Sequence, residues 1–177
     1  MKVIIAAAQT GGHINPGIAI ANKIKEKNRN ARIMFIGTTR GLENDLVPRA
    51  GYELKTIDAY GINRKISISN IKNMFKTLKG FGEAKKIVKD FNPDIVITSS
   101  TYPLDTYPGQ KIARLANAKL IHEGHDLWPL TLTEIGGMSR LHPFVLLMGV
   151  AEQSAYKNSN EVVSVLPFSY KHMLTHG

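Results

Sequence analysis

One short segment near the N-terminus combines residue types that could bind an anion and move a proton. It reads Gln9-Thr10-Gly11-Gly12-His13-Ile14-Asn15-Pro16. Two adjacent glycines let the backbone approach a ligand closely, and the free N–H groups at the start of a following helix favour an anion such as a diphosphate. His13 would lie where it could take a proton from a hydroxyl. The segment is equally consistent with a plain strand-to-helix turn that exposes a histidine.

A second polar segment follows a later apolar run, from His122 to Pro129. His125 and Asp126 could line a ligand cleft, or they could form a loop pair in which the aspartate accepts from nearby backbone N–H groups. Trp128 is the only tryptophan, and packing of its loop is favoured over stacking on a ligand. A metal site in this segment is not expected, because adjacent strand residues point to opposite faces. We predict neither a metal nor a cofactor, and the Gly-x-Gly-x-x-Gly dinucleotide fingerprint is absent.

Apolar runs that alternate with amphipathic stretches must position these segments. The predicted strands are Val3–Ala8, Ile33–Gly37, Tyr52–Ile57, Ile95–Thr98, Lys119–His122 and Val162–Leu166. The predicted helices are Gly17–Lys27, Leu42–Ala50, Asn70–Asp90, Gly109–Ala116 and Pro143–Lys157. Such alternation predicts an α/β fold: a single three-layer α/β/α Rossmann-like domain over 1–177, with a parallel sheet of about six strands. Ligands bind such sheets in the loops after the carboxyl ends of the strands, where both polar segments fall.

The composition bounds the class of protein. A chain of 177 residues that is 43% hydrophobic suits one globular domain. Because there are no cysteines, disulfides and cysteine nucleophiles are excluded. No apolar run reaches the roughly 18 residues that span a bilayer. The short apolar N-terminus runs into a glycine turn, which favours a buried strand over a signal peptide, so we expect a cytoplasmic protein.

The net positive charge of the chain comes from its first half. Residues 1–97 carry 17 Lys or Arg against 8 Asp or Glu, whereas residues 98–177 carry 6 of each. This indicates either an anionic partner or a solvated lysine-rich face. Between Ile66 and Lys89, an apolar stripe rimmed by lysines is typical of a helix on an anionic membrane surface, although a core helix explains part of it. The candidate membrane contacts are Ile71, Lys72, Phe75, Lys76 and Lys79. Nucleic acid is not expected, because aromatic residues are not interleaved with the basic ones.

Residues 1 to about 97 resemble the N-terminal domain of the MurG family, bacterial N-acetylglucosaminyltransferases that complete lipid II in peptidoglycan biosynthesis. The matching residues are Thr10 to Gly17, Phe35 to Thr38, Gly41 to Glu43, Leu46 to Pro48, Gly51-Tyr52 and Pro93 to Ile97. The resemblance implies the N-terminal half of a GT-B fold and a lipid-linked diphosphate acceptor at the inner membrane face. It also implies that Thr10, Gly11, Gly12 and Asn15 contact the acceptor and that His13 is a candidate general base. Where the family has Gly-Gly, this chain has Ala8-Gln9.

Residues from about Ser99 to the end resemble instead the N-terminal domain of family-four retaining glycosyltransferases. The matching residues are Ser100 to Asp105, Glu123 to Pro129, Glu152 to Tyr156 and Val162 to Val165. This resemblance implies that His125 and Asp126 line the cleft that faces the sugar donor. Two resemblances meeting near residue 97 predict a chimera, with a MurG-like half over 1–97 and a family-four-like half over 98–177. The alternative is a naturally divergent relative.

Neither resemblance covers a C-terminal domain that would bind the sugar donor, so we expect residues 1–177 to be inactive on their own. The surface that such a domain would cover could support a homo-oligomer. Two alternatives to an acceptor-side glycosyltransferase domain stay open. One is a scaffold that keeps the fold without binding, and the other is an unrelated nucleotide-binding α/β domain.

Overall fold

Strands and helices alternate along the chain, as the sequence pattern predicts. A computed structural model describes residues 1–7, 11–57, 82–100 and 103–176. In this part of the chain six strands form parallel pairs, and the chain divides into two compact units, Met1–Pro93 and Asp94–Gly177. The prediction of a Rossmann-like α/β fold with about six parallel strands is confirmed. The grouping of all 177 residues into a single domain stays a prediction.

The first unit contains three strands in the order β3-β2-β1. They are β1 (Lys2–Ala6), β2 (Arg32–Thr38) and β3 (Glu53–Ile57). The helices are α1 (Gly11–Lys27), α2 (Glu43–Arg49) and the helical residues 82–91, here α3. Strands β1 and β2 are buried along most of their length, as expected for parallel strands covered on both faces.

Close packing sets α1 against the strands of the first unit. A Cβ added to Gly17 would lie 3.3 Å from both Ile5 Cγ2 and Phe35 Cε1. The glycine therefore lets the helix backbone approach β1 and β2 more closely than a side chain would allow. Ile14, one turn earlier, is completely buried, so α1 is anchored from near its start.

The second unit contains strands in the order β4-β5-β6. They are β4 (Ile95–Ser100), β5 (Lys119–Gly124) and β6 (Glu161–Ser164). The helices are α4 (Thr106–Ala116), α5 (Pro143–Asn158) and α6 (Ser169–His176). A 3₁₀ turn (Pro103–Asp105) precedes α4, and a π-helical turn (Thr131–Ile135) interrupts the connection from β5 to α5.

Helix α4 packs on the strands through a glycine as well. A Cβ on Gly109 would overlap Thr98 Cγ2, so the helix backbone packs directly on the Thr98 side chain of β4. The helix ends at Asn117 in the left-handed conformation (φ 52°), with N–H bonds back to the carbonyls of Ala113 and Arg114. Asparagine tolerates this conformation better than most residues, which explains the sharp turn into β5.

The structure differs from the predicted elements at the start of α1 and in the presence of α6. The first predicted helix starts at Gly17, whereas α1 begins at Gly11, so Gly11 to Pro16 are helical rather than loop. Pro16 cannot donate to the Gly12 carbonyl, and its ring crowds that carbonyl, yet the helix continues through it. Helix α6 was not predicted, because its sequence has no extended apolar stripe.

The predicted membrane contacts Ile71, Lys72, Phe75, Lys76 and Lys79 lie outside the described residues, as does most of the predicted helix Asn70–Asp90. Among the helices that the structure describes, none is long and apolar enough to cross a bilayer.

Candidate functional site

The start of α1 lies directly after β1, at the carboxyl end of the strands in the first unit. Gly11 and Gly12 are its first two residues, and its first turn carries no acidic side chain. The leading N–H groups of a helix have no partner within the helix, and they form its positive end. Gly12 is exposed, and because glycine has no side chain, it does not cover the positive end of the helix. The geometry suits an anion close to the backbone.

The structure places part of the predicted acceptor site. Gly11, Gly12 and Asn15 lie in the first turns of α1, and Asn15 is exposed. Thr10 lies outside the described residues. The backbone of His13 belongs to α1, but its side chain is outside the description, so its role as a base stays a prediction.

The loop after β2 is organised around a buried carboxylate, Glu43. This side chain is completely buried, and its Oε1 accepts hydrogen bonds from the Thr38 N–H at 2.7 Å and the Thr38 hydroxyl at 2.8 Å. The Asn44 amide donates to the carbonyl oxygens of Thr38 (2.9 Å) and Gly41 (3.0 Å). The loop over residues 38–43 is thereby closed on itself at the carboxyl end of β2.

Two glycines make room for the Glu43 side chain. A Cβ on Gly37 would lie 2.6 Å from Glu43 Cγ, and one on Gly41 would overlap Glu43 Oε2. Neither glycine has a positive φ, so the requirement is for space rather than backbone conformation. This explains physically why Gly37, Gly41 and Glu43 occur together in the sequence.

Buried polar pairs join the carboxyl ends of β4 and β5 in the second unit. Thr98 Oγ1 lies 3.2 Å from His122 Nδ1, and Ser99 Oγ lies 3.2 Å from His125 Nε2. The same His125 nitrogen is 3.5 Å from Glu123 Oε2. The predicted cleft residue His125 is therefore buried against Ser99 and Glu123, whereas Asp126 is half-buried. Their role towards a donor stays a prediction.

Burial controls the charge of His122. Desolvation lowers the pKa of His122 to about 4; the negative Glu123 opposes this shift, and the neighbouring His125 adds to it. The ring is therefore neutral at pH 7. A neutral ring suits a histidine that exchanges a hydrogen bond with Thr98.

Glu152 on α5 is also buried, and it contacts three polar groups of the second unit, one of them on its own helix. Its Oε1 accepts from the Trp128 N–H at 2.9 Å and from the Tyr156 hydroxyl at 2.8 Å. His172 Nε2 on α6 lies 3.2 Å from Oε2. Burial, the charge of Glu152 and the hydrogen bond from the Tyr156 hydroxyl to Glu152 all raise the pKa of Tyr156, so the phenol stays protonated. We call these four residues the Glu152 cluster.

The described residues contain no group of three His, Asp or Glu side chains arranged to hold a metal ion. Sequence reasoning gave no role to Glu43, Thr98, Ser99, Glu152, Tyr156 or His172. The Glu43 loop had a local signal, two glycines and a threonine within six residues of an acid. The Glu152 cluster had only the i, i+4 spacing of Glu152 and Tyr156, which is common on helices.

Comparison with known proteins gives a family and a fold. The glycosyltransferase family 28 N-terminal domain matches residues 3–125. A UDP-N-acetylglucosamine--N-acetylmuramyl-(pentapeptide) pyrophosphoryl-undecaprenol N-acetylglucosamine transferase of Alkaliphilus metalliredigens is 53% identical over 137 residues, which are 77% of this chain and 37% of that protein. The transferase of the same name from Thermoanaerobacter sp. is 41% identical over 167 residues, 92% of this chain and 44% of that protein. The chain thus spans less than half the length of these relatives.

Solved structures show the same fold. MurG of Acinetobacter baumannii matches with a TM-score of 0.64 at 22% identity, over 94% of this chain and 42% of that chain. Anabaena HepE, solved with UDP and glucose, matches with a TM-score of 0.62 at 14% identity, over 100% of this chain and 41% of that chain. These likenesses concern the fold alone, which is that of the N-terminal half of a GT-B glycosyltransferase.

The family match also bears on the predicted boundary near residue 97. It runs through that position to residue 125, and the Thermoanaerobacter relative aligns with most of the second half as well. The comparisons therefore support the MurG-like resemblance and give no support to a chimera or to a family-four-like second half. The chain belongs to the glycosyltransferase family 28 N-terminal domain family.

Proposed function

We propose that this chain is the acceptor-side domain of an N-acetylglucosaminyltransferase and that it binds a polyprenyl diphosphate sugar. The observation that carries the proposal is the family match over residues 3–125 together with relatives whose names specify a pyrophosphoryl-undecaprenol acceptor. In this proposal the diphosphate lies at the start of α1, near Gly11 and Gly12.

The geometry of the first unit supports an anionic ligand at this place. The α1 start presents N–H groups that have no partner within the helix, at the positive end of the helix dipole. The 38–43 loop, closed around Glu43, follows the neighbouring strand β2, and the carboxyl ends of parallel strands lie at the same edge of a sheet. In this proposal the loop forms one wall beside the α1 start, and a wall already closed by its own hydrogen bonds reduces the ordering cost of binding.

The charge distribution supports an anionic membrane surface as part of the same function. All of the net charge of +9 comes from residues 1–97, and each lysine near an anionic leaflet contributes roughly 1 kcal/mol, screened by salt. In this proposal the protein is cytoplasmic and binds peripherally to the inner membrane face. His13 would act as the base that deprotonates the acceptor hydroxyl.

Three earlier hypotheses remain predictions without support from these observations: the chimera, inactivity of residues 1–177 alone, and a homo-oligomer. A scaffold without retained binding is the alternative function that the experiment must exclude.

Co-sedimentation with vesicles tests the proposal. Anionic vesicles are prepared with and without a polyprenyl diphosphate sugar, each at low and high salt. We expect the diphosphate lipid to increase binding at both salt concentrations, while the lipid-independent part falls steeply with salt. Binding that depends on salt alone would reduce the function to a basic surface. A folded protein that binds neither vesicle would contradict the proposal.

A further inference from the structure

The buried carboxylate of Glu152 is the meeting point of three separate segments. The backbone N–H of Trp128 belongs to the loop over residues 125–129. Tyr156 lies one turn further along α5, and His172 lies on α6. Glu152 is 3% exposed. The partners outside α5 are 24 and 20 residues away in the sequence, so only the folded unit brings them together.

Helix α6 lies over the end of β5, next to the 125–129 loop. A Cβ added to Gly124, the last residue of β5, would be 3.6 Å from Met173 Cε. Met173 follows His172 on α6. The helix and the loop that begins at His125 therefore share the carboxyl end of one strand, and Glu152 contacts both.

A carboxylate is an unusual choice for this position if stability alone is required. Burying a charged group is costly, and a well-packed apolar residue often serves a helix as well or better. The distinct property of a carboxylate is that it can accept several directed hydrogen bonds at once. Such a group fixes the relative positions of its donors rather than only excluding water.

We propose that Glu152 is a positioning residue that holds the 125–129 loop and α6 in one fixed arrangement at the end of β5. Its Oε1 sets the loop through Trp128, and its Oε2 holds α6 through His172. That the loop is a wall of a substrate cleft, through His125 and Asp126, rests on the proposed function; the mechanical coupling within the second unit does not.

The chain supplies its own probe, because Trp128 is its only tryptophan. The experiment combines Trp128 emission with hydrogen–deuterium exchange of two segments, 125–132 and 169–176, in the ligand-free chain. The variants are Glu152→Ala, Glu152→Gln and His172→Phe, and the matched control is Glu161→Gln, an exposed glutamate on β6. A glutamine keeps an oxygen for the Trp128 and Tyr156 donors. It places an NH₂ group opposite His172, which replaces the contact to a carboxylate by a neutral hydrogen bond, and only in the tautomer whose Nε2 accepts.

The two substitutions at Glu152 should separate the two functions of the carboxylate. Glu152→Gln and His172→Phe should accelerate exchange of 169–176 by about tenfold, leaving 125–132 and the Trp128 emission near wild type. Glu152→Ala should accelerate exchange in both segments and shift the emission, whereas Glu161→Gln should change neither.

Equal exchange of both segments in all variants and wild type would overturn the proposal. So would a uniform acceleration by Glu152→Gln across the whole unit, which would mean a general loss of stability. If Glu152→Ala does not fold, the contrast between the glutamine variant and wild type still decides. Because no ligand is present, failure of vesicle binding would contradict the proposed function without affecting this result.

Discussion

Each unit of the molecule contains a buried glutamate that accepts several hydrogen bonds, Glu43 in the first and Glu152 in the second, and the two are used differently. Glu43 accepts both of its described hydrogen bonds from Thr38, five residues earlier. Glu152 contacts groups 24 and 20 residues away, besides one on its own helix. The first carboxylate completes a local loop, whereas the second joins distant segments. A buried carboxylate can therefore either close a single loop or hold together segments that are distant in the sequence.

The partners differ in chemistry as well as in distance. The two hydrogen bonds described for Glu43 come from the backbone N–H and the hydroxyl of Thr38. The Glu152 cluster contains a histidine and a tyrosine, and Tyr156 also contacts the His122 ring edge-on, with centroids 6.4 Å apart. Because burial lowers the pKa of His122, we expect this part of the second unit to contribute to the pH dependence of stability.

Removal of Glu152 should produce the largest effect. Glu152→Ala removes a buried acceptor from the part-buried backbone N–H of Trp128 and hydroxyl of Tyr156, and should lower the free energy of unfolding by about 3 kcal/mol. Urea denaturation followed by Trp128 emission measures this value. Glu161→Gln, exposed on the same unit, should change it by less than about 0.5 kcal/mol. A loss no larger than that of the control would remove the long-range half of the comparison.

The charge state of His122 should produce the next effect. Its pKa in the folded state is about 4, below the ordinary histidine value of about 6.5. As the pH falls, the unfolded chain therefore takes up a proton at this histidine before the folded chain does. The contribution of His122 to the free energy of unfolding is complete above about pH 6.5 and is lost as the pH falls to about 4. The slope from this group is at most about 1.4 kcal/mol per pH unit.

Urea unfolding at several pH values, for wild type and His122→Asn, measures the contribution of this histidine. The variant should have a shallower slope across that window. Nuclear magnetic resonance of the His122 ring gives an independent check. A ring that titrates near 6.5 in the folded protein would contradict the buried, neutral state.

Crowding of the Glu43 loop should produce the smallest of the three effects. In Gly41→Ala the new methyl overlaps Glu43 Oε2, which should cost about 2 kcal/mol through displacement of the carboxylate from Thr38. Gly82→Ala is the control, because a Cβ there meets nothing within 4 Å. Thermal unfolding of both variants measures the difference. If Gly41→Ala is as stable as Gly82→Ala, the loop is not closed around Glu43 in the way described.

These contrasts explain how far the sequence could predict the structure. Alternating apolar runs were enough for the α/β class, and Lys119–His122 differs from β5 only at its end, because strand burial leaves a local signal. The start of α1 was misplaced because Pro16 suggests a boundary that the helix passes. The Glu43 loop could have been found from Gly37, Gly41 and Glu43. The Glu152 cluster could not, since pairing of Trp128 with Glu152 depends on tertiary packing.

The resemblance of the first half was more informative than its chemistry. The segment from Thr10 to Gly17 identified the family, but its residue types alone left an exposed turn equally open. In the second half of the chain, by contrast, a resemblance based on short segments was misleading. Short matches such as Glu123 to Pro129 suggested a different parent, whereas a relative aligned over 92% of the chain is evidence of a longer and more specific kind.

The most direct test of the central claim is a pair of substitutions at Gly12, the exposed second residue of α1. Gly12→Asp adds a negative charge that stabilises a helix start by about 0.3–1 kcal/mol, yet it should repel a diphosphate. Gly12→Asn is the neutral control of nearly the same size. In co-sedimentation with vesicles that contain a polyprenyl diphosphate sugar, we expect the aspartate variant to lose lipid-dependent binding by at least about tenfold relative to the asparagine variant. Equal binding of the two folded variants would show that the diphosphate does not bind at the start of α1.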